Sequence, residues 1–506
     1  MAAAMRKPRR RMRLIGVLAL ALMLTGALSL GAHVGSPDVF YEGDAGPYRL
    51  FVTVRMPQVI PGVAEIEVRC ASNDVRAIEI VPMTLSGPGS TFPPTPDLAQ
   101  RSKEDPQFFT GSLWLMEFGA LKVRVTADGS KGKGELSVPV PSFAQRSLKM
   151  EKPLGGLLAF LMLFLAIGAI LIAGAAVREG NLEPGELPLP ARTRRARFVM
   201  GLTAIVAAGV LYLGWAWWSA DASTYQRYVN LAKPPAAETK LENGNRLILR
   251  AKGQDARWSE YAKMEEVIPD HNHLMHLFLF SVPGMERMWH LHPERMEGGA
   301  FAEELPAMPA GKYQIFADVV DKNGVPWTLV GTEELPQISG GALRGDDSVW
   351  AASVAATQAI GDTVSELADG GRMVWLLAKE PLRANRPMNF TFSVEDKDGK
   401  SAEDLEPYMG MTGHAEFVSK DFTVFAHVHP AGTISMAALE LGRTGQADGP
   451  GGMQTGMPMA MPMPSGPVSP KVNFPYGFPR AGEYRIFVQI KRAGKIETGV
   501  FDARVQ

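Results

Sequence analysis

Cysteine is almost absent from this sequence: Cys70 is the one cysteine in 506 residues. A single thiol cannot close a disulfide within the chain, and it cannot supply the thiolates of zinc clusters, iron–sulfur centres or covalently attached haem. An excess of charge of one sign is also absent, since 52 basic residues nearly balance 53 acidic ones. We therefore expect no nucleic-acid partner. Any metal must be held by histidine, methionine or carboxylate side chains.

The sequence also lacks the common catalytic motifs. It has no nucleophile elbow, no glycine-rich phosphate loop and no zincin helix motif. We therefore expect a protein that is not an enzyme.

Three long apolar runs are present. Residues 14–32 follow a cationic leader, so residues 1–32 are predicted to be either a secretory signal peptide or an uncleaved signal anchor. Residues 154–177 contain no charge over 24 positions, and residues 198–218 contain none over 21. Each of these two runs is long enough to cross the roughly 30 Å of a bilayer core. The sequence therefore predicts two or three transmembrane helices and a lipid bilayer as partner.

The loop between the two later runs, residues 178–197, indicates how the chain is threaded. It carries five arginines (Arg178, Arg192, Arg194, Arg195 and Arg197). Basic loops stay on the cytoplasmic side of a membrane. We therefore expect residues 33–153 and 219–506 to lie outside the cytoplasmic (inner) membrane of a bacterium, in the periplasmic or extracellular space.

Outside the apolar runs the chain alternates polar and apolar residues with a period of two, and Gly and Pro separate the runs. This pattern is typical of antiparallel β-sandwiches. The segment "AGKYQIF" at 310–316 matches "AGEYRIF" at 481–487, which indicates an internal duplication. We predict a mainly β protein with three Ig-like or cupredoxin-like β-sandwiches. The predicted domains are a first sandwich at 33–153, a linker at 219–244, one repeat at 245–340, a connector at 341–372 and a second repeat at 373–506.

Eight of the nine histidines lie in two short windows, one in each repeat. The windows align: His276 corresponds to His414, and His290 and His292 correspond to His427 and His429. Upstream, His271 and His273 of the first window stand where Met409 and Met411 stand in the second. Eight histidines at matched spacing predict metal sites.

Each window was interpreted as one hairpin carrying its own site. With Lys420-Asp421 as a two-residue turn, His414 lies opposite His427, and His429 shares their face. Opposed Cβ atoms lie about 4.5–5.5 Å apart, close enough for two imidazoles to reach one ion. One predicted site therefore comprises His414, His427 and His429 with Met409 or Met411. The other comprises His276, His290 and His292 with His273 or His271.

The ligand types point to copper. Imidazole suits Cu(II), Zn and Ni, whereas thioether selects Cu(I), so matched His and Met positions favour copper in both oxidation states. Zinc is the alternative metal. A methionine-rich segment at 451–464 carries five methionines (Met453, Met457, Met459, Met461 and Met463). It is either a flexible loop that collects or passes on Cu(I), or a low-complexity segment whose composition arose by sequence drift.

Other interpretations of the histidines stay open at this point. The imidazoles could brace each hairpin through main-chain carbonyls, or they could sense protons. Cleavage after Ala32 would also expose His33 as an N-terminal copper chelator, although residues 34–270 offer it no second histidine.

The C-terminal repeat resembles a known group of modules. The stretches "PYMGMTGHAEFVSKDFTVFAHVHPAGT" at 407–433 and "AGEYRIFVQIK" at 481–491 are similar to YtkA-like extracytoplasmic β-sandwiches, which are broadly similar to CopC-like and cupredoxin-like copper proteins. The resemblance covers residues 375–505, and more loosely 245–336. It implies copper binding or delivery. The cysteine ligand of cupredoxins is missing, so a blue-copper electron carrier is not expected.

Together these features predict a membrane-anchored, extracytoplasmic protein that binds copper for storage, resistance or delivery to a cuproenzyme or another envelope protein. The alternative is a metal-free envelope scaffold whose Ig-like domains contact other proteins.

Overall fold

The computed structural model describes residues 33–36, 38–183, 185–252, 263–352, 360–377, 380–444 and 468–506. The predicted signal segment 1–32 and the methionine-rich segment 451–464 lie outside these described residues. Within them the protein is mainly β, built from antiparallel sheets with two long apolar helices. The predicted fold class is therefore confirmed.

The first sandwich lies between the predicted leader and the first of two long apolar helices. One of its sheets has the strand order β2-β3-β4-β8-β7 and the other β10-β9-β5-β6. Alternate residues of these strands are buried between the sheets, as the period-two pattern predicts. Strand β1 (His33–Val34) precedes the sandwich along the chain. The strands of the sandwich are β2 (Val39–Ala45), β3 (Tyr48–Arg55), β4 (Gly62–Cys70), β5 (Val75–Thr84), β6 (Asp97–Leu98), β7 (Gln100–Arg101), β8 (Phe108–Leu115), β9 (Gly119–Gly129) and β10 (Gly132–Ser142).

Two helices follow, and both are long and apolar enough to cross a membrane. Helix α1 is Lys152–Glu179 and helix α2 is Pro190–Leu231. They contain the predicted spans 154–177 and 198–218. Helix α2 continues for 13 residues beyond position 218, so half of the predicted linker 219–244 is helical. Tyr225 and Tyr228 on this extension pack against Phe118, which fixes the helix to the first sandwich.

Repeat 1 is the sandwich that follows helix α2. Its outer sheet has the order β11-β12-β17-β16, and its inner sheet has the order β13-β18-β14-β15-β20 with β19 beside β18. Strand β20 comes from the predicted connector 341–372 and pairs with β15. The strands are β11 (Ala237–Glu242), β12 (Arg246–Ala251), β13 (Val267–Ile268), β14 (His276–Ser281), β15 (Arg287–Leu291), β16 (Glu294–Arg295), β17 (Phe301–Glu304), β18 (Gly311–Asp321), β19 (Pro326–Leu335) and β20 (Ser348–Ala351).

Repeat 2 has the same plan. Its outer sheet is β21-β22-β23-β27, and its inner sheet is β1-β26-β25-β28-β24 with β29 beside β28. Strand β1 thus joins repeat 2 by parallel pairing with β26, rather than the first sandwich in which residue 33 was predicted to lie. The elements are β21 (Val364–Glu366), β22 (Arg372–Trp375), β23 (Met388–Glu395), β24 (Leu405–Glu406), β25 (His414–Ser419), β26 (Val424–Val428), helix α3 (Met436–Thr444), β27 (Lys471–Tyr476), β28 (Gly482–Arg492) and β29 (Lys495–Val505).

The inner sheets of the two repeats pack face to face. In β14, Leu277 and Leu279 point into their own sandwich, whereas Phe278 and Phe280 belong to an apolar cluster shared with repeat 2. Phe316 of repeat 1 stacks on Phe425 of repeat 2 with ring centroids 4.3 Å apart. Strands β14 and β25 are therefore buried on both faces, and the histidines of both hairpins lie in the same inter-repeat layer.

Candidate metal centre

The hairpin of repeat 2 has a different register from the predicted one. Glu416 pairs with His427, and Ala415 pairs with Val428. The turn contains four residues rather than two, because the carboxylate of Asp421 accepts hydrogen bonds from Ser419 and Thr423 and closes a wider loop. The predicted opposition of His414 and His427 is therefore wrong. The error is two residues, an even number, so the histidines keep their common face.

The hairpin of repeat 1 has the matching register, with Phe278 opposite His290. The upstream turns also match. His271 and Asn272 have positive φ in one turn, and Met409 and Gly410 have it in the other. Phe278 of repeat 1 therefore occupies the position that Glu416 occupies in repeat 2.

The two windows face each other and form one histidine cluster rather than two separate sites. Two triads within it have ligand nitrogens that all lie within 4.8 Å of one another. The mixed triad takes His271 from repeat 1 and His414 and His429 from repeat 2. The repeat-1 triad is His276, His290 and His292. The predicted assignment of His271 to a site within its own repeat therefore changes, because its turn reaches across the interface.

In the mixed triad, two rings are oriented by main-chain oxygens. His271 donates through Nδ1–H to the carbonyl of Met409 at 2.9 Å, and His429 donates through Nδ1–H to that of Ile434 at 2.9 Å. These bonds leave the Nε2 atoms unprotonated, and the two Nε2 atoms lie 3.2 Å apart. Among the described residues, neither ring nitrogen of His414 has a hydrogen-bond partner. Three imidazoles thus offer lone pairs to one point.

The repeat-1 triad is supported in the same way. His276 donates through Nε2–H to the carbonyl of Asp270 at 3.1 Å, and His290 donates through Nδ1–H to the Gln489 carbonyl oxygen at 2.8 Å. His292 donates through Nδ1–H to Asp347 at 2.9 Å. The remaining nitrogens of His276 and His290 face each other at 3.2 Å.

His427 lies between the triads instead of belonging to one. Its ring centroid is 5.4 Å from those of both His276 and His414. Its Nδ1 lies 3.5 Å from a carboxyl oxygen of Asp318. Glu416, opposite it in the ladder, is fully buried, and its carboxyl oxygens have no hydrogen-bond partner on another described residue.

The remaining predicted ligands lie at the edge of the cluster. His273 stacks on His292 with ring centroids 3.8 Å apart, and its Nε2 lies 3.5 Å from Asp346. Met409 contacts His271 through its main-chain oxygen rather than its thioether. Met411 is buried in the same turn and exchanges main-chain hydrogen bonds with Tyr408.

Burial sets the protonation of the cluster. It lowers the pKa of His290 to about 3 and that of His429 to about 4. Burial, together with neighbouring imidazoles, also holds the pKa of four further rings well below the usual range: His276, His292, His414 and His427. The same desolvation raises the pKa of Asp318 to about 7 and that of Glu416 well above its usual value, the latter with a contribution from Asp318. At neutral pH these imidazoles are therefore neutral and their lone pairs are free.

The sequence interpretation missed the groups that orient the rings: Asp270, Asp347, Gln489 and the carbonyl of Ile434. A signal existed for one of them. Gln489 pairs with His414 across β28 and β25, just as Asp318 pairs with His276 across β18 and β14. Both follow the duplicated "AGxYxIF" segment by two residues, and the period of two places them on the histidine face.

The comparisons with known proteins identify no function. Residues 366–506 match a family described as a domain of unknown function (DUF8832). No curated protein matches the chain. Among solved structures, a tetra-tandem repeat from the extending region of a large adhesion protein is 7% identical with a TM-score of 0.17, covering 94% of this chain and 93% of that one. The ICAM-5 D1–D4 ectodomain fragment is 8% identical with a TM-score of 0.13, covering 92% and 77%. The fibronectin(III)-like modules of Clostridium thermocellum CbhA are 10% identical with a TM-score of 0.12, covering 54% and 92%.

Proposed function

We propose that this protein is a membrane-anchored, extracytoplasmic copper-binding protein whose copper centre lies between its two repeats. The observation that carries the proposal is a pair of close contacts between ring nitrogens, in four imidazoles that each direct the other nitrogen to a main-chain or amide oxygen; in the neutral rings these contacting nitrogens carry lone pairs. His271 and His429 meet at 3.2 Å in one triad, and His276 and His290 meet at 3.2 Å in the other. Two lone pairs repel each other at this distance unless a cation lies between them. Tetrahedral ligand nitrogens about 2.0–2.1 Å from an ion are separated by about 3.3 Å.

The alternative in which the histidines brace their hairpins fits these contacts less well. A bracing imidazole uses both nitrogens on protein groups, whereas five of the six triad histidines use one nitrogen on a carbonyl or carboxylate and turn the other inward. Metal-ligating histidines have this arrangement, because the outer hydrogen bond fixes the tautomer and makes the inner nitrogen more basic.

The ligand chemistry supports copper. Both triads consist of imidazole alone, which suits Cu, Zn and Ni, and among divalent ions copper binds such nitrogen sites most tightly. The resemblance of the C-terminal repeat to copper-binding modules points the same way. Zinc is the alternative ion, and the triads provide for two ions.

The location follows from the two apolar helices and the arginine-rich loop. If residues 178–197 stay in the cytoplasm, both repeats lie on the outer side of the cytoplasmic membrane. The centre would then serve copper storage, resistance or delivery to a cuproenzyme.

The proposal is tested by the copper content of the full-length protein in lipid nanodiscs. We expect two copper ions per chain, one after His276→Ala with His290→Ala, and one after His414→Ala with His429→Ala. Phe278→Leu is the matched control, because it changes a residue beside the rings without removing a nitrogen. Mass spectrometry of the metals checks each count, and competition with zinc identifies the preferred ion. If both double variants kept the copper and zinc content of the parent, the proposal would be wrong.

The metal-free scaffold remains a second candidate, and one observation favours it. The aromatic half of the inter-repeat layer, which includes Phe280, Phe316 and Phe425, joins the repeats without any ion. A ligand that binds only the folded state raises the melting temperature. An unchanged melting temperature of the full-length protein with copper, and with zinc, would support the scaffold.

A further inference from the structure

A cavity of about 670 Å³ lies where the three sandwiches meet the outer end of helix α2. The first sandwich contributes apolar residues such as Leu121, Val140 and Phe143, and the helix end contributes Ala232. Repeat 1 adds Trp327 and neighbouring residues to the same apolar wall. Cavities of about 300–1,000 Å³ at domain junctions, apolar with a few convergent polar groups, are the usual form of a small-molecule site.

One end of the cavity is polar and belongs to the histidine cluster. It is lined by His273, His276, His427, Asp270 and Asp318. Asp318 lies deep in the protein, yet 21% of its side chain remains accessible. This accessibility is explained by the cavity, which Asp318 lines.

From this arrangement we propose that the cavity binds a small, uncharged organic molecule whose body is apolar and whose single hydroxyl group faces Asp318 and His427. The proposal goes beyond metal binding, because the cavity and its polar end are present whichever ion the triads hold.

The hydroxyl group is inferred from the acceptors at the polar end. One carboxyl oxygen of Asp318 accepts a hydrogen bond from Thr328, while the other lies 3.5 Å from His427, at the limit of a hydrogen bond. That second oxygen can form a stronger bond with a ligand hydroxyl, which donates to Asp318 when the carboxyl is ionised and accepts from it when the carboxyl is protonated. An anionic head is disfavoured, since Asp270 and Asp318 place two carboxyl groups at this end. The rest of the lining is mainly apolar; it also contains a few hydroxyl and amide groups and Lys233, whose ammonium donates to Asn230 at 2.9 Å. A charged body is therefore disfavoured.

The proposal is tested by equilibrium dialysis of three probes against the full-length protein in lipid nanodiscs. The probes are 4-bromophenol, bromobenzene, which lacks the hydroxyl, and 4-bromobenzoate, which is anionic. Ala232→Trp places a large ring on the cavity wall. Ala220→Trp is the matched control, because it makes the same change at an exposed position of helix α2, which ends directly before Ala232, and this position does not line the cavity.

We expect saturable binding of 4-bromophenol, at least tenfold tighter than that of bromobenzene and tighter still than that of 4-bromobenzoate. Ala232→Trp should weaken it at least tenfold, whereas Ala220→Trp should leave it unchanged. Asp318→Leu should abolish the preference for the hydroxyl while leaving bromobenzene binding intact. Copper content, measured on the same samples, reports on the metal proposal separately.

Three outcomes would overturn the proposal. They are uptake that does not saturate, equal uptake by the two tryptophan variants, and a hydroxyl preference that survives Asp318→Leu. Each contradicts the cavity site even if copper content stays at two ions per chain.

Discussion

The two repeats have the same fold and register but support their imidazoles differently. Where repeat 1 has His271, Phe278 and Asp318, repeat 2 has Met409, Glu416 and Gln489. These differences make the repeats complementary. Gln489 of repeat 2 orients His290 of repeat 1, and the carbonyl of Met409 orients His271.

This comparison indicates that the candidate metal centre requires both repeats. A duplicated hairpin supplies imidazoles twice, but each triad needs a group from the other repeat to complete or orient it. The two repeats differ at three matched positions, and these differences make their facing surfaces complementary. Neither repeat alone contains a complete triad together with the groups that orient its rings.

The largest expected effect comes from acid, which should destabilise the protein by protonating the buried histidines between the repeats. Unfolded histidine has a pKa near 6.5, whereas the folded pKa is about 3 for His290 and about 4 for His429. Below pH 6.5 the unfolded state therefore binds more protons at these histidines, so their contribution to the free energy of unfolding falls as pH falls. The carboxyl groups whose folded pKa is raised most, those of Asp318, Glu416 and Glu303, act in the opposite sense, but they are fewer than the six histidines whose pKa is lowered. Each such histidine contributes about 1.4 kcal/mol per pH unit until its folded pKa is reached. Urea unfolding of the metal-free protein should show a marked loss between pH 7 and pH 5. A stability at pH 5 that equals or exceeds the stability at pH 7 would show that the buried carboxyl groups outweigh the histidines, and it would contradict the predicted net loss.

Removing the aromatic contact that joins the repeats should have the next largest effect. Phe316→Ala deletes the ring that stacks on Phe425 and should cost about 3–5 kcal/mol, because a cavity remains in the apolar layer. The melting temperature of the full-length protein measures this cost. Phe92→Ala, at a residue 80% exposed in the first sandwich, is the control and should change it little. Equal shifts in the two variants would show that the layer does not stabilise the protein.

Exchanging His271 for methionine, its counterpart in repeat 2, tests whether this difference between the repeats affects the proposed metal centre. His271→Met gives repeat 1 the residue of repeat 2 and removes one imidazole from the mixed triad. Cu(II) affinity there should fall by more than the roughly 10–100-fold that the loss of an outer-shell partner of a ligand costs. His273→Met makes the same exchange two residues further along the chain, at a histidine that stacks on His292 but belongs to neither triad, so it should have a smaller effect on the mixed triad. Titration of copper against a chromophoric chelator measures both. Similar losses in the two variants would mean that His271 does not cross the interface to bind metal.

The fold was largely readable from the sequence. The apolar runs located helices α1 and α2, and the period of two located the sandwiches. The alternation of residues along the strands also placed His414, His427 and His429 on one face of the hairpin, although the predicted turn was two residues too short. The turn itself was missed because the carboxylate of Asp421, not chain length alone, decides its size.

The partner of that face could not be predicted in the same way. Periodicity says which residues share a face but not what covers it. One signal was available: "LFLF" at 277–280, directly after His276, has no polar position, so both faces of this part of β14 are predicted to be buried. Contacts between residues far apart in the chain, such as those of His271 with Met409 and His429, arise only when the two sheets are stacked.

The smallest expected effect concerns the position where Phe278 faces Glu416. A buried carboxyl group without a partner costs about 1–3 kcal/mol, so Glu416→Phe, which gives repeat 2 the residue of repeat 1, should raise the stability of the metal-free protein by at most this amount. Overpacking would reduce the gain, and Glu416→Gln controls for volume while keeping a polar group. Because Glu416 lies outside both triads, copper content should stay at two ions. If the Glu416→Phe variant lost a copper ion while its stability rose, Glu416 would be a ligand. The two repeats would then differ in which residues bind the metal, and not only in which residues orient the histidine rings.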